Sequence, residues 1–269
     1  MGKGFEKTIF GLWLPLTIFL ILFPSITFAD GREETAFPHR DNGKERVFHY
    51  TARKWGMPAL KATLSIGHGP GKEERSHWKI EARVTSLSLP KIFFRMNNRF
   101  ASLMETEPFT SIRYVKEIDQ EGLFIQKKQY SETITFDPLR HKAMVEKKGS
   151  GERREVFFPS EAYDPLAIFA RYHLKEGLPT DRDIRFSIFD GVRFRQLLFQ
   201  SKSLRFSSKI LGEVEAILLE SSLAFHSFGD KEGVLRIWYT ADRHRIPICL
   251  ELDLPIGPLR FELEEIREG

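Results

Sequence analysis

Residues 184–194 read IRFSIFDGVRF, and this stretch decides the fold class. Apolar residues at 184, 186 and 188 alternate with polar ones before Asp190-Gly191, and the alternation resumes after this pair. A period of two is typical of a half-buried strand, and Asp-Gly favours a two-residue type I′ turn. The stretch therefore predicts a β-hairpin.

The same period covers most of the chain. Residues 60–66 and 78–84 alternate on either side of the glycine-rich segment 67–71, which predicts a second hairpin. Further strands are predicted at 108–118, 123–136, 140–147, 153–158, 192–206, 209–220, 222–228, 233–241, 244–254 and 258–266. This pattern predicts a mainly β fold with one large curved antiparallel sheet, either a half-barrel or an open barrel-like meander.

Two segments depart from this period, and we expect two helices packed against the sheet. In 89–105 the apolar residues recur at steps of three and four. In the second segment Asp164 can cap a helix, Pro165 suits its first turn and Gly177 is placed to end it.

The first 29 residues have the pattern of an export signal. Lys3 and Lys7 precede the uncharged stretch IFGLWLPLTIFLILF at 9–23, and small residues lead up to Ala29. We predict a signal peptide at 1–29, a flexible leader at 30–46 and a single antiparallel β domain at 47–269, with the mature protein in the periplasm. An uncleaved membrane anchor is the alternative, since about 20 apolar residues can span a bilayer.

Composition excludes several classes of protein. The chain has 41 basic and 37 acidic side chains, a net charge of +4 and a single cysteine among 269 residues. This balance argues against a disordered tail, a disulfide-built fold, a multi-cysteine metal site and a nucleic-acid-binding surface. The lone Cys249 is interpreted as a small core residue, on the more polar face of its strand.

Three motifs occur in an order and spacing that resemble a bacterial family called domain of unknown function 3108. They are Phe48-His49-Tyr50 with 55–59 (WGMPA), 163–167 (YDPLA) with Arg171-Tyr172 and Gly177, and Ile237-Trp238-Tyr239 with Asp242, Arg245-Ile246-Pro247 and Gly257. The resemblance covers nearly the whole predicted mature chain. It implies an exported, mostly antiparallel β protein without an established activity, similar in architecture to the curved half-barrels of periplasmic lipoprotein carriers.

No compact catalytic or metal-binding motif is visible. The eight histidines show no spacing that places two of them on one metal ion, and no nucleophile elbow is present. The segment 67–72 lacks the gap and the Ser/Thr of a phosphate-binding loop. We therefore predict no metal, no cofactor and no enzymatic activity, with a catalytic triad assembled only in space as the alternative.

Six residues are candidate ligand-binding positions. Asp242 and Arg245 belong to the cluster DRHR at 242–245, which could orient an anion or form a solvated turn. Arg193 and Arg195 share the polar face of a strand, where they could meet anionic lipid or glycan phosphates or could keep that face of the sheet soluble. Trp55 and Trp238 belong to a set of aromatic residues that could line an apolar groove or fill a core: Trp55, Trp78, Trp238, Phe93, Phe94, Phe100, Phe169, Phe186 and Phe194.

Three functions follow from these patterns. The first is non-enzymatic binding of a lipid-like or other apolar ligand in envelope maintenance. The second is an interaction module that recruits another envelope protein through a sheet edge or an exposed patch. The third is a hydrolase with dispersed catalytic residues. The absence of a catalytic signature ranks the hydrolase last.

Overall fold

The structure, a computed structural model, describes residues 45–54, 56–69, 77–87, 94–122, 125–174, 182–225, 231–254 and 257–268. They form fourteen strands, one α-helix, α1 (Ala167–Leu174), and a 3₁₀-helix at Pro138–Arg140. The strands are β1 (Arg46–Lys54), β2 (Met57–His68), β3 (His77–Ser86), β4 (Phe94–Glu105), β5 (Ser111–Gly122), β6 (Ile125–Asp137), β7 (Lys142–Lys147), β8 (Arg153–Phe157), β9 (Ile184–Phe189), β10 (Phe194–Ser208), β11 (Gly212–Phe225), β12 (Lys231–Thr240), β13 (Pro247–Leu254) and β14 (Gly257–Glu268). The predicted signal peptide at 1–29 and nearly all of the predicted leader lie outside these residues.

All fourteen strands belong to one antiparallel sheet in the order β8-β7-β6-β5-β4-β3-β2-β1-β14-β13-β12-β11-β10-β9. The first strand pairs with β2 on one side and with the last strand, β14, on the other. In the described part of the chain no backbone ladder joins the terminal strands β8 and β9, so the sheet is not closed into a barrel. The predicted mainly β fold with one large antiparallel sheet is confirmed. Among these residues no helix is long and apolar enough to cross a membrane.

The prediction of a helix at 89–105 was wrong. The described part of this segment is the strand β4, which pairs with β3 and β5. Its buried face contains two polar residues, Asn98 and Ser102, between the apolar ones. These two interrupt the apolar alternation in the sequence, so that only the steps of three and four remained visible. Only one of the two predicted helices is therefore present in the described residues.

The hairpin at 184–194 forms as β9 and β10, but its turn differs from the predicted one. Phe189 pairs with Phe194, and the Asp190 amide donates to the Arg193 carbonyl, so Gly191 and Val192 are the central residues. Gly191 has φ +90°. Val192 does not have a positive φ, and a positive φ at the first central residue alone is typical of a type II′ turn, whereas type I′ needs it at both.

The second predicted helix is present as α1 and begins close to the predicted point. The Asp164 carboxylate accepts hydrogen bonds from the amides of Leu166 and Ala167, as a helix cap does. The last described residue of α1 is Leu174, and Gly177 lies outside the described residues.

Contacts between strands distant in the sheet order show that the sheet curves around α1. Lys116 of β5 donates to the carbonyl of Asp190, which precedes the β9–β10 turn. From α1, His173 contacts Phe48 of β1, with ring centroids 5.5 Å apart, and Tyr172 contacts Tyr239 of β12 at 4.4 Å. The hydrophobic core therefore lies on the concave side of the sheet, around the helix.

Candidate functional site

The concave side of the sheet is occupied by α1. All eight residues of the helix are buried. A small apolar cavity remains beside Phe169, with Tyr50, Cys249 and Phe261 in its wall, and its volume is about 30 Å³. This volume is close to that of a single water molecule, so the cavity is too small for a lipid chain.

A buried carboxylate fixes α1 to the sheet. One oxygen of Asp164 accepts from the helix amides, and the other accepts from the hydroxyls of Ser102 and Ser111, each at 2.6 Å. Burial raises the pKa of Asp164, and the four hydrogen bonds oppose this effect. Because all four bonds join Asp164 to the helix amides or to the two serines of β4 and β5, the role of Asp164 is structural.

Side chains join the two ends of the sheet, together with backbone bonds from Tyr163, which follows β8, to Ser187 and Phe189 of β9. Lys116 is buried and lies 2.6 Å from a Glu132 oxygen, while it also donates to Asp190. Arg154 of β8 donates to the Gly191 carbonyl at 2.6 Å, and Phe158 packs on Phe189 with centroids 5.1 Å apart. We call these contacts the seam, and they hold the curved sheet around its helix.

Trp238 does not line the concave side. It shares the outer face of β12 with Arg236, whose guanidinium binds Glu220 and Glu251. The indole is nevertheless buried, because Phe206 and the Arg260 guanidinium lie against it at 5.6 and 5.5 Å. Trp238 therefore belongs to a small outer cluster. The other predicted tryptophan, Trp55, lies outside the described residues.

The cluster at 242–245 forms a turn. Asp242 accepts from the Thr240 hydroxyl and from the amides of His244 and Arg245, so its carboxylate caps the turn between β12 and β13. The Arg245 guanidinium lies 5.5 Å from the centre of the Tyr172 ring, and the backbone carbonyl of Arg245 contacts the His173 ring. The structure brings Asp242 and Arg245 together as a support for the end of α1.

Arg193 and Arg195 have different surroundings. Arg193 is exposed, next to the β9–β10 turn. Arg195 is half-buried, and its guanidinium lies 3.6 Å from the buried carboxylate of Asp190. Of the two predicted arginines only Arg193 is therefore exposed. Arg195 lies beside the seam, where it contacts Asp190.

A groove of about 440 Å³ lies on the outer face of the sheet, across β3–β6. We call it the outer groove. It is lined by Arg83, Asn97, Arg99, Glu117, Ile118, Asp119, Gln129, Tyr130, Ser131 and Lys148. The lining mixes cations, carboxylates, amides and a hydroxyl, so it can form many hydrogen bonds with a polar ligand.

An interruption in the sheet underlies the outer groove. The ladder between β4 and β5 pairs Met96 with Gln120 and Arg99 with Glu117, but it leaves the residues between them unpaired. Here the Asn98 side chain replaces a ladder bond, since its oxygen accepts from the Asp119 amide at 3.0 Å and its nitrogen donates to Gln120 at 3.3 Å. This buried amide keeps the two strands in place where they separate.

Arginines fix the carboxylates of the outer groove. Arg99 donates to both oxygens of Glu81, at 2.8 and 2.9 Å, and to Glu117 at 3.3 Å. Arg95 binds both oxygens of Asp119 at 2.8 Å. The hydrogen bond from Arg99 is the largest cause that holds the pKa of Glu81 below its usual range. The acidic groups of the groove, Glu117 and Asp119, are thus already engaged by arginines.

Comparison with known proteins gives a family and a fold. The family model described as "Protein of unknown function (DUF3108)" matches residues 47–264. The chain belongs to the DUF3108 family. Among solved structures, it is similar to a β-barrel-like protein of domain of unknown function DUF1849 from Brucella abortus. That match has a TM-score of 0.52 at 9% identity and covers 84% of this chain and 98% of the other. No curated protein matches the chain.

In this DUF3108 chain, residues from the three motifs that resemble the family meet around α1. Phe48 of the first motif contacts His173, and Tyr239 and Arg245 of the third contact Tyr172. The motifs therefore account for how the helix is held inside the sheet.

The residues of the outer groove were missed by sequence reasoning. Asn97, Asn98 and Arg99 fall in the segment predicted as a helix, so their faces were assigned incorrectly. The signal that could have found them is the pair Asn97-Asn98, because consecutive asparagines are unfavourable in a strand interior and indicate a local interruption. Arg83 lies on the exposed face of β3, as the alternation predicted at 78–84 implies.

Proposed function

We propose that this protein is an exported, non-enzymatic binding protein of the cell envelope that takes its ligand on the outer face of the sheet, in the outer groove. One observation carries the proposal: α1 fills the concave side, whereas the outer groove is open with about 440 Å³. Small-molecule sites in proteins commonly measure about 300–1,000 Å³, a range that includes this groove.

The outer groove replaces the apolar ligand site that was expected inside the sheet. Among the aromatic residues expected to line an inner groove, Phe186 packs on Phe199 and Trp78 stacks on His68 instead. Phe100 and Phe169 are buried in the same core. Binding of a lipid chain there would require displacement of α1 and its anchor Asp164.

The chemistry of the described groups supports a binding role rather than catalysis. The carboxylates of the outer groove, Glu117 and Asp119, are already hydrogen-bonded to Arg99 and Arg95. Burial raises the pKa of Cys249 to about 12, so its thiol is a weak nucleophile at neutral pH. Export rests on the charge pattern and the apolar stretch of residues 1–29.

The test is native mass spectrometry of the full chain, isolated from the envelope fraction of cells that express it. Gln129→Trp fills the outer groove from an exposed position, and Gln200→Trp is the matched control on the exposed face of β10. We expect a bound species on the wild type and on Gln200→Trp that is absent from Gln129→Trp. An apolar molecule that stays bound to Gln129→Trp would place the ligand elsewhere and overturn the proposal.

A further inference from the structure

We infer that the outer groove binds a phosphoryl group, which the exposed cations Arg83 and Lys148 of its lining attract. The phosphoryl group could be carried by a soluble phosphate ester or by a lipid headgroup, since both present the same oxygens. This inference rests on the proposed function and specifies the ligand class of the same groove.

The unused hydrogen-bonding groups of the outer groove are mostly donors. Among the described residues, the side chains of Arg83, Asn97, Gln129 and Lys148 form no hydrogen bond and no ion pair, and all four are exposed. Two of them are cations and two are amides. A phosphoryl group accepts several hydrogen bonds and carries negative charge, so it complements this set better than a neutral or cationic ligand.

The acidic groups of the groove leave this donor set available. Glu117 accepts from Arg99, and Asp119 is bound at both oxygens by Arg95. Glu81, which neighbours Arg83 on the same face of β3, is occupied by the bidentate bond from Arg99. The hydrogen-bond donors of Arg83 and Lys148 therefore remain available for a ligand, although the charge of Arg83 also acts on Glu81.

The register of the sheet places two guanidinium groups side by side. Arg83 of β3 lies directly opposite Arg99 of β4. The charge of Arg99 is already balanced by Glu81 and Glu117, whereas Arg83 forms no ion pair in the described residues. An anion above this row would therefore be attracted mainly by Arg83, and a phosphate dianion would be attracted more strongly than a carboxylate.

The floor of the groove is rigid before a ligand binds. Arg99 is fixed by two carboxylates, and the buried Asn98 amide ties β4 to β5 below it. A fixed site loses little conformational entropy on binding. Arg83 and Lys148 are then the only charged groups of the lining that a ligand has to order, within the described residues.

The experiment is an amide-resolved NMR titration of the full chain with inorganic phosphate at constant ionic strength. Acetate serves as the carboxylate arm, and phosphatidylglycerol vesicles, compared with phosphatidylcholine vesicles, serve as the lipid arm. The test variant is Arg83→Gln/Lys148→Gln. Its matched control is Lys61→Gln/Arg185→Gln, which removes the same charge from exposed positions on β2 and β9.

We expect saturable shifts at residues 83, 97–99, 129–131 and 148 in the wild type and in the control. In Arg83→Gln/Lys148→Gln we expect the dissociation constant to rise at least about tenfold, because hydrogen bonds to charged groups each contribute that much or more. Binding only to phosphatidylglycerol vesicles, with the same loss in the variant, would identify a lipid headgroup as the source.

Three results would overturn the inference. They are the absence of saturable shifts with phosphate and phosphatidylglycerol, an equal response to acetate, and unchanged binding by Arg83→Gln/Lys148→Gln. If the envelope species is still lost in Gln129→Trp while phosphate fails to bind, the proposed function stands and only the phosphoryl class is wrong.

Discussion

Replacement of Asp164 by alanine tests how the helix is held inside the sheet. Asp164 is fully buried and accepts four hydrogen bonds, two from helix amides and two from serine hydroxyls. In Asp164→Ala the helix loses its cap, and the hydroxyls of Ser102 and Ser111 lose their acceptor. Both serines are buried, so water cannot replace the carboxylate without opening the core.

The expected loss can be estimated from these contacts. A lost helix cap costs about 1 kcal/mol, and each buried hydroxyl left without its acceptor costs about 1 kcal/mol more. The free energy of unfolding should therefore fall by about 3 kcal/mol. For a domain of this size, this corresponds to a melting temperature lower by about 6–12 °C.

The assay is thermal and urea unfolding followed by circular dichroism, with Asp164→Asn as the matched control. Asparagine keeps an oxygen for the two helix amides, and its nitrogen can donate to the serine hydroxyls. We expect Asp164→Asn to lose less than about 1 kcal/mol. A melting temperature of Asp164→Ala within about 2 °C of the wild type, or an equal loss in both variants, would refute the role of Asp164 as the anchor.

The same carboxyl predicts a pH dependence of stability. Because burial raises its pKa in the folded state, the native protein holds the proton of Asp164 more tightly than the unfolded chain does. Its contribution to stability is therefore fully present below the ordinary carboxyl pKa and is lost as pH rises through the raised pKa. Urea unfolding from about pH 4 to pH 7 should show the wild type losing stability relative to Asp164→Asn. A constant difference between them would contradict this.

Three further predictions concern the seam and the thiol. Gly191→Ala should lower the melting temperature clearly more than Gly149→Ala, because both glycines have φ near +90° but only at Gly191 would the new Cβ meet another side chain, at 2.8 Å; equal losses would contradict the contact. Lys116→Met should lower the free energy of unfolding in urea by about 3 kcal/mol, because it leaves the Glu132 carboxylate without its partner. The double variant Lys116→Met/Glu132→Leu should recover more than half of this loss, and no recovery would argue against the Lys116–Glu132 ion pair. Cys249 should react with a thiol reagent at least about a hundredfold more slowly in the native protein than in urea, and comparable rates would show that it is accessible.

The sheet could be predicted from sequence where each strand has one apolar and one polar face. The hairpin at 184–194 and the pair β2–β3 have this alternation, and both form. The strand β4 could not be recognised, because Asn98 and Ser102 occupy buried positions through partners on β5 and beside α1. Such partners are distant in sequence, and no local pattern reveals them.

The candidate site was harder to predict than the fold. Trp238 was assigned to a groove because it is large and aromatic, but its face of β12 is covered from outside by Phe206 and Arg260. The outer groove depends on a ladder interruption and on which arginines already have partners. Neither can be derived from the order of residues alone, since alternation assigns a residue to a face and does not specify its neighbours.

Hydrogen–deuterium exchange of the full chain, with and without an envelope extract, tests most directly whether the ligand binds outside the sheet. We predict added protection in peptides that contain residues 97–99, 117–119 and 129–131, with α1 unchanged. Protection that appears instead in α1 and in the strands facing it, β1 and β12, would contradict the account and place the ligand on the concave side.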